Sequence, residues 1–117
     1  MEGIWGSGYD FGNAIERGWG KYTVVHDDKG FQIRIVEVDP FNSIQNQFHR
    51  KRSEHWVVIS GTAKLYMDAD YKLIRTGESA FIPAGMKHKV INPGGIPLIM
   101  VEVHTGDVDE SDSVNVK

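Results

Sequence analysis

Gln47 and His49 stand two residues apart, so in a strand both side chains leave the same face and can grip one ion. With Glu54 and His88 they offer one amide oxygen, two imidazole nitrogens and one carboxylate oxygen. Such a mixed set suits one divalent transition ion with positions left open for water or substrate. These residue types do not distinguish Zn, Mn, Fe, Co and Ni. Glu54 lies five residues past His49, an odd step that strict alternation sends to the opposite face. A turn or bulge within Arg50-Lys51-Arg52-Ser53 restores it. His88 arrives from a later strand, after the bend that Pro83 and Gly85 permit. Of the other histidines, His26 at a strand end before Asp27 and His104 late in the last strand are read as structural, and His55, pointing away from its neighbour Glu54 by alternation, as structural or as a support behind the ligands. Trp56 to Ile59 reads as a plain core strand, and Gly61, Gly77, Pro83, Gly85 and Asn92 as turn residues.

The elements that must position these groups are short. From Tyr22 onward, runs rich in Val, Ile, Phe and Tyr are separated every few residues by Gly, Pro, Asp or Asn, the pattern of an all-β sandwich or barrel. Strands are expected near 20–26, 31–38, 44–49, 54–60, 62–67, 71–75, 79–82, 87–91 and 97–104, with hardly any helix. Asp27-Asp28-Lys29-Gly30 and Asp68-Ala69-Asp70 carry turn chemistry and predict hairpins. Residues 1–16 hold four glycines among isolated aromatics and read as an arm. Residues 107–117 carry Asp107, Asp109, Glu110 and Asp112 with little apolar mass and read as an acidic tail that frays.

Composition narrows the classes. A chain of 117 residues holds one domain, and its 40% hydrophobic content supplies a core. Thirteen basic against sixteen acidic residues give a net charge of -3, whose average field repels nucleic acid and anionic membranes. The absence of cysteine excludes disulfides, thiolate nucleophiles and cysteine-rich zinc sites. With no signal-peptide pattern and no apolar run long enough to span a bilayer, the expectation is a soluble cytoplasmic protein that engages neither nucleic acid nor membrane. Five of the basic residues, Arg50, Lys51, Arg52, Lys87 and Lys89, fall in the segments bearing the ligand candidates. They make a local positive field suited to an anionic substrate.

The spacings from Gln47 to Gly61 and from Gly77 to Asn92 resemble the two motifs of the cupin superfamily, with glutamine in place of the first histidine. Arg17-Gly18-Trp19-Gly20-Lys21-Tyr22, the run Arg52-Ser53-Glu54-His55-Trp56 through Ala63, and Phe81-Ile82-Pro83-Ala84-Gly85 are similar to the type II mannose-6-phosphate isomerase family. That family also forms the C-terminal cupin domain of bifunctional mannose-1-phosphate guanylyltransferases. The resemblance covers residues 17–106 and implies a single cupin domain there. The implied fold is a double-stranded β-helix, a jelly-roll barrel that holds a metal and opens to a sugar phosphate or nucleotide-sugar. Arg52 stands where the family also carries arginine, which implies a phosphate contact helped by Lys87 and Lys89. Three departures stand beside these matches. Phe41 replaces a family glycine, His49-Arg50-Lys51 replaces a histidine-rich triplet, and the family's basic, aromatic tail after Gly106 has no counterpart.

The activity so implied is metal-dependent isomerisation of an aldose to a ketose phosphate. The metal would stabilise charge on the substrate oxygens while a base moves the proton. The sequence does not identify that base; Lys51 and Glu102 are weak candidates by character and location. Other expectations are a noncatalytic sugar-binding or sensor cupin, or a different metal-cupin enzyme such as a dioxygenase. A homodimer is also expected, since small cupins pair through their sheets and the arm carries Ile4, Trp5, Tyr9 and Phe11.

Overall fold

Runs of β-branched and aromatic residues that alternate with polar ones pair into two antiparallel sheets in the computed structural model. It describes residues 14–49, 51–107 and 113–115, with backbone only for 46–49 and 113–115. Eleven strands follow in order: β1 (Ile15–Arg17), β2 (Gly20–Asp28), β3 (Phe31–Val38), β4 (Ser43–His49), β5 (Arg52–Ser60), β6 (Thr62–Met67), β7 (Asp70–Arg75), β8 (Ser79–Ile82), β9 (His88–Ile91), β10 (Leu98–Gly106) and β11 (Ser113–Asn115). The first sheet runs β1-β2-β3-β10-β5-β8 and the second β11-β4-β9-β6-β7. Chain neighbours such as β4 and β5 lie in different sheets, the crossing pattern of a jelly roll. Among the described residues there is no helix, and none long and apolar enough to cross a membrane.

Both predicted hairpins form. Asp28 pairs with Phe31 across Lys29-Gly30, and Met67 pairs with Asp70 across Asp68-Ala69. The expected strand positions hold within a few residues, with two additions. β1 occupies residues 15–17 and so begins within the stretch 1–16 read as an arm. β11 falls within the tail expected to fray and pairs with β4. The apolar arm residues at positions 4, 5, 9 and 11 lie outside the described residues.

The core is graded along the barrel. Val36, Val38, Val58, Leu98 and Met100 of the first sheet pack against Ala63, Leu65, Ile74 and Val90 of the second. They close one end with apolar side chains. At the other end the same strands turn polar residues inward, in ladder rows set by register: Gln32, His104 and Glu54 in one, Arg34, Glu102 and Trp56 in the next. Positions on the outside of these rows are apolar in turn, among them Val57 and Phe81, both exposed. An antiparallel sheet covered on one face ordinarily shows the reverse.

Turn chemistry fixes the strand ends. Gly61 alone joins β5 to β6 at φ 84°, and a Cβ there would lie 2.9 Å from the Pro97 carbonyl oxygen, so glycine is required on two counts. Asn92 is buried and holds the segment that leads into β10. Its Nδ2 donates to the Val38 oxygen at 3.0 Å and the Ile96 oxygen at 2.8 Å, while its Oδ1 accepts from Gly94 N at 3.0 Å. Phe41, where the resembling family has glycine, sits at φ 60° with 73% of its surface exposed. A non-glycine residue in the left-handed region costs about 1–2 kcal/mol. Little packing offsets that cost here. Phe41→Gly is expected to raise stability by about 1 kcal/mol in urea denaturation; an unchanged or lower midpoint contradicts this reading of the turn.

Candidate metal centre

The polar end of the barrel is built on β5 and β10. Along β5 the inward positions are Arg52, Glu54, Trp56 and Val58; along β10 they are Leu98, Met100, Glu102 and His104. Glu54 reaches the interior because β4 and β5 belong to different sheets, so parity need not carry through the connection between them. Its Oε1 accepts from Trp56 Nε1 at 2.8 Å and lies 3.2 Å from His104 Nε2, and its Oε2 lies 3.4 Å from Arg52 Nε. His104 Nε2 also lies 2.8 Å from Glu102 Oε1, so one imidazole N–H is shared between two carboxylates. Burial alone lowers the His104 pKa. Hydrogen bonds to Glu102 and Glu54, with the charge of both, outweigh that and raise it above its usual 6.5. The cluster is buried, with Glu54 at 3% exposure, Arg52 at 4% and His104 at 1%. Its remaining ring atom, Nδ1, has no hydrogen-bond partner among the described residues.

His88 enters from the second sheet. It is buried, and its Nδ1 lies 3.1 Å from the Met86 carbonyl oxygen, a bond that only Nδ1–H can make. That contact fixes the tautomer and leaves Nε2 as the acceptor nitrogen, the form a metal requires. Trp56 connects the two halves of the site, since its ring meets His88 edge-on with centroids 5.8 Å apart while its N–H serves Glu54. In the β4 ladder Gln47 stands opposite His88, and His49 opposite Ser113. The side chains of Gln47 and His49 lie outside the described ones. In donor chemistry these positions fit a divalent ion: a buried carboxylate, an imidazole in the ligating tautomer and a glutamine in the adjacent register position. The Glu54, Glu102 and His104 donor atoms lie within 4.8 Å of one another and form a second grouping with metal-binding character.

The structure separates the other candidates. Arg52, expected as an exposed cation, is buried against Glu54, because the inward parity of Glu54 also applies two residues earlier. Lys87 is exposed just before β9. Lys89 alternates with the buried His88 and Val90 and pairs in register with Tyr66, so it lies on the outer face of the second sheet. Lys51 is exposed, whereas Glu102 is inside the cluster. His55 packs at a tilt against Phe81 on the outer face, ring centroids 4.6 Å apart, and His26 lies exposed beside Asp28 and Phe31. His104 is the residue that sequence reasoning missed. Glu102 and His104 stand two apart on a strand, the same argument that paired Gln47 with His49.

A family profile described as Mannose-6-phosphate isomerase C-terminal matches residues 7–117. The chain belongs to the mannose-6-phosphate isomerase C-terminal family. Relatives include the mannose-1-phosphate guanylyltransferase of Escherichia coli, 42% identical over 100 residues that make up 86% of this chain and 21% of that protein. The alginate biosynthesis protein AlgA of Pseudomonas putida is 37% identical over the same shares. The chain thus spans about a fifth of the length of these relatives. KdgF from Halomonas superposes with a TM-score of 0.80 at 10% identity, over 88% of this chain and 95% of that one. A Klebsiella pneumoniae protein with a double-stranded β-helix domain gives 0.76 at 21% identity, over 88% and 89%. These structures establish the cupin fold for this member of the isomerase family.

The Arg52–Glu54 pair generates a stability prediction. Arg52→Met leaves a buried carboxylate without its guanidinium and is expected to cost about 3–5 kcal/mol. The double variant Arg52→Met/Glu54→Gln should recover part of that loss in a denaturation cycle; strict additivity contradicts the pairing.

Proposed function

We propose that the chain is a metal-dependent aldose–ketose isomerase domain acting on a sugar phosphate. The observation that carries this reading is the buried constellation of Glu54, Glu102 and His104 facing a barrel wall that bears His88 in its ligating tautomer. In the proposal, Gln47, His49, Glu54 and His88 hold one divalent transition ion. A bound ion of this kind supplies Lewis-acid stabilisation of the oxygen charge that builds on the substrate as its proton moves.

The chain's own residues divide the rest of the work. Glu102 is proposed as the base: its carboxylate takes the proton from C2 of the aldose and returns it at C1, while the O2 hydroxyl proton passes to O1. His104, whose Nε2 is 2.8 Å from Glu102 Oε1, holds that carboxylate in place. Arg52 acts on Glu54, 3.4 Å away, in place of the phosphate contact expected of it. The phosphate falls to Lys87, exposed one residue before His88.

A coupled assay of mannose 6-phosphate with metal-loaded protein tests the proposal. Glu102→Gln should lower kcat at least about 100-fold with metal content unchanged, while His88→Ala should lose both metal and turnover. Lys87→Ala should raise KM more than it lowers kcat. Measurable sugar-phosphate binding without isomerisation by the metal-loaded chain would replace this reading with a noncatalytic sugar-binding cupin.

A further inference from the structure

The outer face of the second sheet takes no part in the barrel site, yet it carries a built groove. Its floor is made by outward positions of β6 and β7, Thr62 paired in register with Arg75 and Lys64 with Leu73, together with Tyr71. The segment from Asn92 to Ile96 forms one wall, and the groove has a volume of about 470 Å³, within the range of small-ligand sites. That wall is fixed before any ligand arrives by the hydrogen bonds of buried Asn92 to Val38, Ile96 and Gly94.

The charge of this face opposes that of the whole chain. Outward positions on β9, β6 and β7 carry Lys89, Lys64 and Arg75 and no acid, in a protein of net charge -3. Among the described residues neither Lys64 nor Arg75 forms an ion pair. The nearby Glu78 is engaged elsewhere, accepting from the Arg75 backbone N–H at 2.7 Å. Lys64 is held by aromatics, its Nζ 4.4 Å from the Tyr71 ring centroid and 5.4 Å from that of Tyr66. Part of the ordering cost of a cation contact is therefore met in the free protein. Tyr71 stays 58% exposed, and its ring shares the groove with Lys64 and Arg75 and with the exposed Leu73 and Ile96.

The geometry points to a second ligand site in this groove, one that binds an anionic saccharide. A pyranose ring packs on Tyr71, and its carboxylate or phosphate pairs with Lys64 and Arg75. Hydroxyls meet Thr62 and the main chain of the wall. An aromatic face, two cations and polar groups in one open groove match a ligand that is at once ringed, hydroxylated and negatively charged. β7 is an edge strand, and its basic residues also discourage strand addition. That role alone would leave ligand affinity unmoved by their loss.

Calorimetric titration of the metal-loaded chain with trigalacturonate as probe tests the site. One equivalent is expected to bind, with affinity falling as salt rises. Lys64→Gln and Arg75→Gln should each weaken binding about tenfold, the size of one lost charge-assisted hydrogen bond. Tyr71→Ala should weaken it at least as much, and Tyr71→Phe should restore it. No binding, equal binding of neutral maltotriose or of pentaglutamate, or affinity unchanged in the groove variants overturns the inference. The site is independent of the isomerase reading: His88→Ala, which is expected to empty the barrel, should leave trigalacturonate affinity unchanged, and its loss there would assign the probe to the barrel.

Discussion

Burying Glu54, Glu102, Arg52 and His104 in one barrel end is the constraint on which the rest of the structure turns. Desolvating a single such group costs several kcal/mol, and the loss is offset only when every charge meets a partner in good geometry. Here the partners come from β5 and β10, adjacent strands whose register places His104 directly opposite Glu54. A one-residue slip would send Glu54 and Arg52 to the outer face and bring His55 and Val57 inward, breaking every contact of the set. The ion-pair cluster therefore specifies the strand pairing.

The same constraint explains the division of labour along the barrel. Polar side chains inside one end contribute no hydrophobic stabilisation, so the other end is packed by Val38, Val58, Leu65, Leu98 and Met100, each essentially without solvent exposure. Trp56 stands at the border, its ring among the core residues and its N–H on Glu54. Asn92 and Gly61 then hold β10 and β6 so that the two ends keep their places. Stability at one end supports preorganised polarity at the other.

Much of this was legible in the residues. Period-two alternation bounded by glycine and aspartate turns located nine strands and both hairpins, because those signals are local. β1 and β11 carried no such signal; three-residue strands exist by virtue of the partner they pair with. Glu54 and His88 were singled out by spacing, and the structure buries both; Glu54's odd step resolved once β4 and β5 proved to lie in different sheets. Arg52 was read from its charge and the family resemblance and Lys89 from its charge, whereas strand parity sends the first inward and the second outward. His104 was discounted as an isolated histidine although Glu102, two residues before it on the same strand, offered the pairing. Long-range register brings Glu54 to both of them, and no local pattern contains that.

The most direct test of the central claim, that the polar barrel end is a metal centre built on His88 and Glu54, is anomalous diffraction from crystals grown with Co²⁺. The account predicts one anomalous peak at about 2.0–2.2 Å from His88 Nε2 and from a Glu54 carboxylate oxygen. A peak held by Glu102 and His104 without His88, or a barrel with no peak, would contradict it.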